Sequence, residues 1–389
     1  MNMNPTNNIR IAFFAGSMKY GVDGVTRVLY KVSEKLLQRN VDHIFFSAII
    51  PPKSEQPVPM YKVPSVVVPF YPEYRYPLAA DFKVSAVLKK FRPHILCVNS
   101  PCSLGWAAIY YANRHRLPVV AYYHTHFVSY AAYYKVNVLT DLGWGYMKMF
   151  YNAVHKTFIP TEPILEELAQ HKIRNLSLLP HGVDTDVFSP KYFAETWKEK
   201  IGAKGKTVLL YVGRLVWEKD LATLAAAYSI LKKQSDQFVL VLVGDGPIKK
   251  DLALLMPDAI FLGFQSGTDL STCFASSDIF VFPSTTETFG MVTLEAMASR
   301  LVPVCANAGG ASGIIRHGET GYLAQPHNAE DFARHCFDLV RSPERRSIIA
   351  ENAYGYAHTQ NWDAIIDRML VEYAGVIEAK QRKKKKTRG

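Results

Sequence analysis

Short apolar runs alternate with segments of helical periodicity along most of this chain, and the alternation starts twice. In the first half the apolar runs are residues 9–15, 43–50, 65–69, 93–99, 117–123 and the start of 158–171. In the second half they are residues 207–212, 238–243, 259–262, 279–282 and 302–305. Strands that alternate with helices favour parallel sheets covered on both faces. The pattern therefore predicts an α/β protein with two doubly wound, Rossmann-like domains.

The chain length agrees with two domains, because 389 residues exceed what one hydrophobic core usually serves. Proline, glycine and charged residues accumulate in residues 180–206, and from Asn328 onward the pattern is helical only. A last helix is expected to end near Lys380. We predict an N-terminal domain at residues 1–185, a C-terminal domain at 186–362, a helix at 363–380 and a basic tail at 381–389.

The basic residues concentrate at the C-terminus. The net charge of +11 falls to +4 without the seven lysines and arginines of residues 380–389. Such a segment can bind an anionic membrane surface, or it can be a solvated end that only aids solubility. Both interpretations stay open, whereas nucleic acid is not expected as a partner.

Neither a membrane span nor a secretion signal is predicted. No run reaches about 18 uninterrupted apolar residues, and the N-terminus has no basic segment followed by an apolar one. The five cysteines form no CxxC pair, which favours free thiols over a metal site. We therefore expect a cytoplasmic protein without a metal, with peripheral association at the inner face of the cell membrane as an open alternative.

Residues 283–300 carry the first candidate site. Glu287 precedes a helix expected to begin near Phe289–Gly290, and Glu295 follows Glu287 by eight residues, about two helical turns. The N–H groups of Gly290, Met291 and Val292 at the helix start favour an anion. A diphosphate fits there. Taken alone, the two glutamates could also be a helix-capping residue and an exposed residue of a surface helix.

Two cations follow the first strand of the second half. Arg214 and Lys219 come directly after the strand and Gly213. A guanidinium grips phosphate as a rigid fork and an ammonium adds a compact charge, so the two could stabilise a departing diphosphate without a metal. On their own they would be ordinary surface cations.

The first half offers weaker candidates. Gly24 ends a loop before the first helix, and the loop is not GxGxxG, so a dinucleotide oxidoreductase gains no support. His124 stands directly after a strand, where ligands of parallel sheets bind. His126 would share its side only if the chain stays extended.

Together these motifs resemble the retaining glycosyltransferases of family 4, which have the GT-B fold. Glu287 and Glu295 match the pattern E-x7-E, and Gly213, Arg214 and Lys219 match G-R-x4-K. Residues 244–247 match the G-D-G-P turn and residues 182–188 the G-V-D-x3-F linker. The linker also explains Asp184-Thr185-Asp186, which otherwise looks like a metal-binding DxD motif.

The resemblance implies two Rossmann-like domains facing across a cleft, with a C-terminal helix that returns to the N-terminal domain. It implies that Arg214 and Lys219 bind the diphosphate, that Glu295 holds the ribose and that Glu287 contacts the donor sugar. The base would lie near Gly263 and Phe264. The implied catalytic residues are His124, Arg214, Lys219 and Glu287. The implied donor-binding residues are Gly24, Arg214, Lys219, Gly263, Phe264, Glu287, Phe289, Gly290, Met291, Val292 and Glu295.

The expected reaction moves a hexose from a UDP or GDP sugar to a hydroxyl, with retention and without a cofactor. Aromatic residues mixed with cations at 70–76, 83–92 and 127–135 suit a membrane interface, so a lipid acceptor is expected. The resemblance extends to family members that glycosylate diacylglycerol. A cell-envelope polysaccharide precursor as acceptor, a non-catalytic nucleotide-binding scaffold and a sugar-nucleotide epimerase remain as alternatives.

Overall fold

A computed structural model describes residues 9–19, 24–68, 71–78, 82–125 and 137–386. The chain divides into two compact units, one comprising Met1–Pro180 with Trp362–Gly389 and the other His181–Asn361. The sequence-based boundary after residue 185 lies five residues later than this division. The C-terminal helix belongs to the first unit.

The first unit is built on a parallel sheet. Its strands and those of an adjoining hairpin are β1 (Ile11–Ser17), β2 (His43–Ile49), β3 (Met60–Lys62), β4 (Ser65–Val68), β5 (Tyr71–Pro77), β6 (Ile95–Val98), β7 (Val119–Tyr122), β8 (Lys156–Ile159) and β9 (Leu176–Leu178). Within the described part of the chain the sheet order is β3-β2-β1-β6-β7-β8-β9, and every neighbouring pair is parallel. The order reverses between β1 and β6, which is the doubly wound pattern.

The predicted strand at 65–69 exists but lies outside this sheet. Strands β4 and β5 form a separate antiparallel hairpin, in which Ser65 is opposite Pro77. Arg75 holds the hairpin through two bonds of 2.9 Å, one from Nε to the Ser65 hydroxyl and one from NH2 to its carbonyl. Alternation of apolar residues alone does not distinguish a hairpin strand from a sheet strand.

Helices cover the first sheet. They are α1 (Gly24–Gln38), α2 (Phe82–Phe91), α3 (Ser103–His115), α4 (Asn137–Asn152) and α5 (Glu162–Gln170). Helix α1 buries Val28, Leu29, Val32 and Leu36, which recur at helical spacing on one side. Thr161 is the N-cap of α5, and Pro163 lies in its first turn.

The second unit repeats the plan. Its strands are β10 (Thr207–Val212), β11 (Phe238–Val243), β12 (Ile260–Gly263), β13 (Ile279–Phe282), β14 (Val302–Ala306) and β15 (Tyr322–Ala324). The order is β12-β11-β10-β13-β14-β15, with parallel neighbours throughout and a reversal between β10 and β13. Strands β10, β13 and β14 are fully buried, so they read as continuous apolar runs.

The helices of the second unit are α6 (Glu195–Lys200), α7 (Leu221–Gln234), α8 (Lys249–Leu255), α9 (Gly267–Ala275), α10 (Met291–Ala298), α11 (Ala329–Arg341) and α12 (Pro343–Thr359). Asp220 precedes α7, but its carboxylate accepts from the Thr223 hydroxyl at 2.8 Å instead of from a backbone N–H.

The last helix, α13 (Trp362–Lys386), is longer than predicted. It continues through the basic run that we expected to be a separate tail from residue 381, because lysine and arginine have good helix propensity. Asp363 and Asp367 pair with Lys35 and Arg39 of α1 and hold the start of α13 in the first unit. Across the described residues, no helix is long and apolar enough to cross a membrane.

Candidate active site

The switch between β10 and β13 determines where the second unit presents its polar side chains. Ligands of doubly wound sheets bind beyond the carboxyl ends of the strands where the order reverses. Arg214 and Lys219 follow β10, and Glu287 follows β13. The three residues that the sequence singled out therefore lie on the two loops that leave this switch.

Lys219 and Glu287 form an ion pair between Nζ and Oε1. Their side chains are 18% and 22% exposed, so the pair is screened less than one on the surface. The Ser284 hydroxyl donates to the same Glu287 oxygen at 3.3 Å. A cation and a hydroxyl thus fix the position of the Glu287 carboxylate without a ligand.

Tyr211 connects this pair to Arg214. The buried tyrosine hydroxyl donates to the Arg214 carbonyl at 3.0 Å. Burial and the negative charge of Glu287 raise the pKa of Tyr211 well above its ordinary value, and the Arg214 guanidinium opposes the shift. Tyr211 is therefore a neutral donor at physiological pH, and it lies within the field of both charged groups.

Two glycines of the G-D-G-P turn fit against the loop that carries Arg214. A Cβ on Gly244 would lie 1.9 Å from the Gly213 carbonyl oxygen, and one on Gly246 would overlap that of Leu215. Gly244 also has φ +134, and its N–H donates to the Gly263 carbonyl at 2.8 Å. Both positions of the turn therefore need glycine, because a side chain there would overlap the backbone of the Arg214 loop. The turn packs directly against that loop and supports it.

A second glycine pair supports the Glu287 loop, and the sequence analysis missed it. The Gly310 N–H donates to the Glu287 carbonyl at 2.6 Å. Side chains on Gly309 or Gly310 would overlap the backbone of residues 285–289. The signal that could have revealed it is a pair of adjacent glycines shortly after an apolar run.

Helix α10 begins at Met291, with Gly290 as N-cap at φ +87. Glu287 therefore lies in the preceding loop, and helical turns do not set its relation to Glu295, contrary to our spacing argument. Met291 and Val292 form the first turn and are partly exposed. Their place at a helix start is the one predicted for binding the diphosphate.

Two other predicted donor contacts are buried in this structure. Glu295 is 1% exposed, so a ribose must reach an enclosed carboxylate. Phe289 is 3% exposed and packs edge-to-face on His181, with ring centroids 5.0 Å apart. A donor would therefore meet the backbone of Phe289 and not its ring.

The predicted base-binding residues lie at the end of β12. Gly263 has φ +69, and the ring of Phe264 is 71% exposed. A side chain at position 263 would approach Lys249 Nζ at 4.0 Å. An exposed aromatic ring beside a glycine suits contact with a base, and this assignment stays a prediction.

In the first unit, His124 follows β7 and is 8% exposed. Its Nε2 lies 3.0 Å from Oδ1 of Asn99, which directly follows β6. Asn99 was not predicted, since a single asparagine after a strand belongs to no motif used. Gly24 begins α1 and is exposed, with nothing within 4 Å of a Cβ built on it.

Several predictions fall outside the described residues. These are His126, residues 20–23, residues 127–135 and the side chains of Lys83 and of residues 71–74. Among the described residues, no group of three or more histidine, cysteine or acidic residues is arranged to hold a metal ion.

Comparison with known proteins decides the family. The model described as "Glycosyltransferase Family 4" matches residues 22–187, and that described as "Glycosyl transferases group 1" matches residues 193–356. A GDP-mannose-dependent alpha-mannosyltransferase of Corynebacterium glutamicum is 31% identical over 385 residues, covering 96% of this chain and 91% of the relative. The chain belongs to glycosyltransferase family 4. It is therefore a glycosyltransferase enzyme.

Other similar proteins are named for different transferred groups or products. The sulfoquinovosyl transferase SQD2 of Arabidopsis thaliana is 32% identical over 81% of this chain and 63% of its own length. The alpha-monoglucosyldiacylglycerol synthase of Streptococcus pneumoniae is 26% identical over 63% of this chain and 59% of its own length.

Solved structures confirm the fold. Sucrose-phosphate synthase from Thermosynechococcus elongatus has a TM-score of 0.79 at 20% identity, covering 95% of this chain and all of its own. HepE from Anabaena, solved with UDP and glucose, has a TM-score of 0.75 at 19% identity, covering 94% and 98%. The family 4 protein thus has the predicted GT-B fold of two Rossmann-like units.

Proposed function

We propose that this family 4 enzyme transfers a hexose from a nucleotide-diphosphate sugar to a lipid hydroxyl with retention of configuration. The observation that carries the proposal is the Lys219–Glu287 ion pair, with Arg214 beside it, on the two loops at the switch of the second unit. A fixed cation beside an anchored carboxylate suits a ligand with a diphosphate at one end and sugar hydroxyls at the other.

In the proposed reaction the bond between the sugar C1 and the diphosphate oxygen breaks, and its electron pair stays on the phosphate. Arg214, Lys219 and the N-terminus of α10 stabilise the charge that grows there. The acceptor hydroxyl forms the new bond to C1 from the same face, and its proton passes to the departing phosphate oxygen. Glu287 accepts hydrogen bonds from the donor sugar.

GDP-mannose and UDP-hexoses are the donors to compare. The relative that covers almost the whole chain is named for GDP-mannose and for an alpha product, which supports GDP-mannose and an α-linkage. The structure of HepE with UDP and glucose supports keeping UDP-glucose in the comparison.

A lipid acceptor is supported by the relatives named for diacylglycerol products. The positive run at the end of α13 supports peripheral contact with an anionic membrane, since clustered lysines and arginines are attracted to acidic lipids. Both features support a reaction at the cytoplasmic face of a membrane as part of the proposal.

The test incubates the enzyme with a panel of nucleotide sugars, with and without diacylglycerol or phosphatidylinositol vesicles. Nucleotide release and product mass are measured together. We expect lipid-dependent release with one donor, and its loss in Arg214→Ala and Glu295→Ala with the fold intact by circular dichroism.

Three outcomes would overturn parts of the proposal. Transfer to a soluble or polyprenyl-linked saccharide and not to lipid would favour a polysaccharide-precursor enzyme. Binding of a nucleotide sugar without turnover on any acceptor would favour a scaffold, and normal turnover in Arg214→Ala would refute the assigned site.

A further inference from the structure

Asn99 and His124 lie together because their strands are neighbours in the first sheet. Strands β6 and β7 are paired in parallel, with Leu96 opposite Val119. Asn99 directly follows β6 and His124 follows β7 by two residues, so both lie at the carboxyl edge of the sheet. They are 3% and 8% exposed. A buried polar pair of this kind must satisfy its hydrogen bonds internally.

The hydrogen bonds of Asn99 determine which way its amide points. Its Nδ2 donates to the Phe14 carbonyl at 3.4 Å, and the amide also hydrogen-bonds to the Cys97 thiol. Its Oδ1 therefore faces His124 and lies 3.0 Å from Nε2. Because an amide oxygen only accepts, Nε2 must carry the hydrogen, and in the neutral ring Nδ1 is the acceptor nitrogen.

A tyrosine ring covers one face of His124. The Tyr122 and His124 rings are stacked, with centroids 5.2 Å apart and an angle of 8° between their planes. The Tyr122 hydroxyl is hydrogen-bonded to that of Tyr373 in α13. Tyr373 in turn donates to Cys97 Sγ at 3.3 Å. These contacts form a closed circuit of hydrogen bonds and ring stacking through His124, Asn99, Cys97, Tyr373 and Tyr122.

The circuit is a rigid support and not a path for protons. Burial raises the pKa of Cys97 to about 12 and the pKa values of Tyr122 and Tyr373 well above the ordinary range. All three groups are therefore neutral at physiological pH, and they act through hydrogen bonds and packing.

We propose that Asn99 and Tyr373 are positioning residues for His124: Asn99 places the ring hydrogen on Nε2, and Tyr373 holds Tyr122 against the ring. Nδ1 is then the nitrogen that accepts a hydrogen bond from a hydroxyl of the donor sugar or acceptor. This role of Nδ1 rests on the proposed function, whereas the orientation of the ring does not. Through Tyr373, the C-terminal helix takes part in shaping the site.

The first experiment reads the tautomer without any substrate. In protein labelled with 15N-histidine, the ring signals of His124 are identified by their loss in His124→Gln. We expect the wild-type ring to carry its hydrogen on Nε2. Asn99→Asp keeps an acceptor and should preserve that protonation, while Asn99→Leu removes the acceptor and should shift the Nε2 signal. A hydrogen on Nδ1 in the wild type, or unchanged shifts in Asn99→Leu, would overturn the proposal.

The second experiment measures kinetics with the donor found in the panel. We expect Asn99→Leu to lower kcat by about 10–100-fold with little change in KM for the donor, and Asn99→Asp to recover part of the loss. Tyr373→Phe should lower kcat in the same direction but less. Tyr111→Phe is the matched control, because its buried ring packs on His115 in α3, away from this circuit.

The two experiments separate this inference from the proposed function. An Nε2 hydrogen that depends on Asn99, in an enzyme that turns over no nucleotide sugar, supports the ring orientation and refutes the function. Turnover that neither Asn99→Leu nor Tyr373→Phe reduces refutes the positioning role and leaves the function intact. If Asn99→Leu does not fold, Tyr373→Phe carries the kinetic test, because it removes a single hydroxyl.

Discussion

Lys219 and Glu287 form an ion pair across 68 residues of sequence, and each follows one of the two strands at the switch of the second unit. The pair is partly buried, so each charge depends on the other more than in a surface pair. In the proposed reaction its lysine binds the donor diphosphate. The same contact thus connects the two loops that leave the switch, and in the proposed reaction it also holds the cation that stabilises the leaving group.

Replacing Lys219 by methionine should separate these roles. We expect Lys219→Met to lower kcat by about 10²–10³-fold, since a fixed positive charge at the leaving group is lost. Steady-state nucleotide release measures this effect, and denaturant unfolding reports the accompanying loss of stability.

Lys204→Met is the matched control, because it removes a lysine whose pair with Glu199 is largely exposed, at 70% and 45%. Its activity should be unchanged. Equal activity of the Lys219 and Lys204 variants would contradict a catalytic role for the buried pair.

Gly244 gives a steric prediction. An added methyl would lie 1.9 Å from the Gly213 carbonyl oxygen, so Gly244→Ala must displace the loop that carries Arg214. We expect a loss of about 1–3 kcal/mol in the free energy of unfolding, together with weaker nucleotide binding by calorimetry. Gly205→Ala is the control, because Gly205 has φ +74 but nothing within 4 Å of its added methyl. A similar loss in both variants would show that backbone strain and not crowding is responsible.

The sequence predicted the parallel strands well because buried parallel strands are continuous apolar runs. Strands β10, β11 and β13 match their predicted bounds. Strands β3, β9 and β15 were missed because each has three residues, too few to show a period. The length of α13 was underestimated because a basic run was interpreted as a tail.

The donor-side residues could be proposed from the sequence because family motifs and strand ends coincide, and their roles stay predictions. What could not be predicted depends on contacts between distant loops. Asn99 acquires its role only when β6 and β7 pair, and Gly310 only when its N–H meets the Glu287 carbonyl. The burial of Glu295 and of the Phe289 ring likewise reflects packing that sequence spacing does not encode.

The buried imidazole of His181 makes the stability of the second unit depend on pH. Burial lowers the pKa of His181 from 6.5 to about 4. Between these values the unfolded chain binds a proton that the folded unit does not, so stability falls as pH drops from about 6.5 towards 4, by up to about 3 kcal/mol. His181→Leu should make the free energy of unfolding less dependent on pH in this window, measured by urea titrations at several pH values.

Burial also lowers the pKa of His335. The wild type and His181→Leu therefore both keep the pH dependence that His335 contributes. An unaltered slope in His181→Leu would show that His181 is not the group responsible.

Phe264 tests the position of the base. Its ring is 71% exposed, so Phe264→Ala should change stability by less than about 0.5 kcal/mol. Stacking of a base on an aromatic ring is worth about 1–3 kcal/mol, so the nucleotide Kd should rise by about 5–150-fold. Leu254→Ala removes an 82% exposed side chain from α8 and serves as the control. Unchanged nucleotide affinity in Phe264→Ala would place the base elsewhere.

The basic end of α13 is expected to draw the enzyme to acidic lipid. Lys380 Nζ lies 3.0 Å from His155 Nε2, so deleting residues 381–389 keeps this contact and removes six basic residues beyond it. Each basic residue near an anionic surface contributes about 1 kcal/mol, and salt screens the attraction. The deletion should therefore reduce sedimentation with phosphatidylglycerol vesicles by at least 10-fold (about 1.4 kcal/mol) while leaving phosphatidylcholine binding unchanged.

Replacing residues 383–386 by glutamine keeps the chain length and should have most of the same effect. Vesicle binding can stay unchanged in both variants only if other residues bind the lipid. Salt-insensitive binding that is unchanged in both variants would therefore show that residues outside the basic end of α13 bind the membrane.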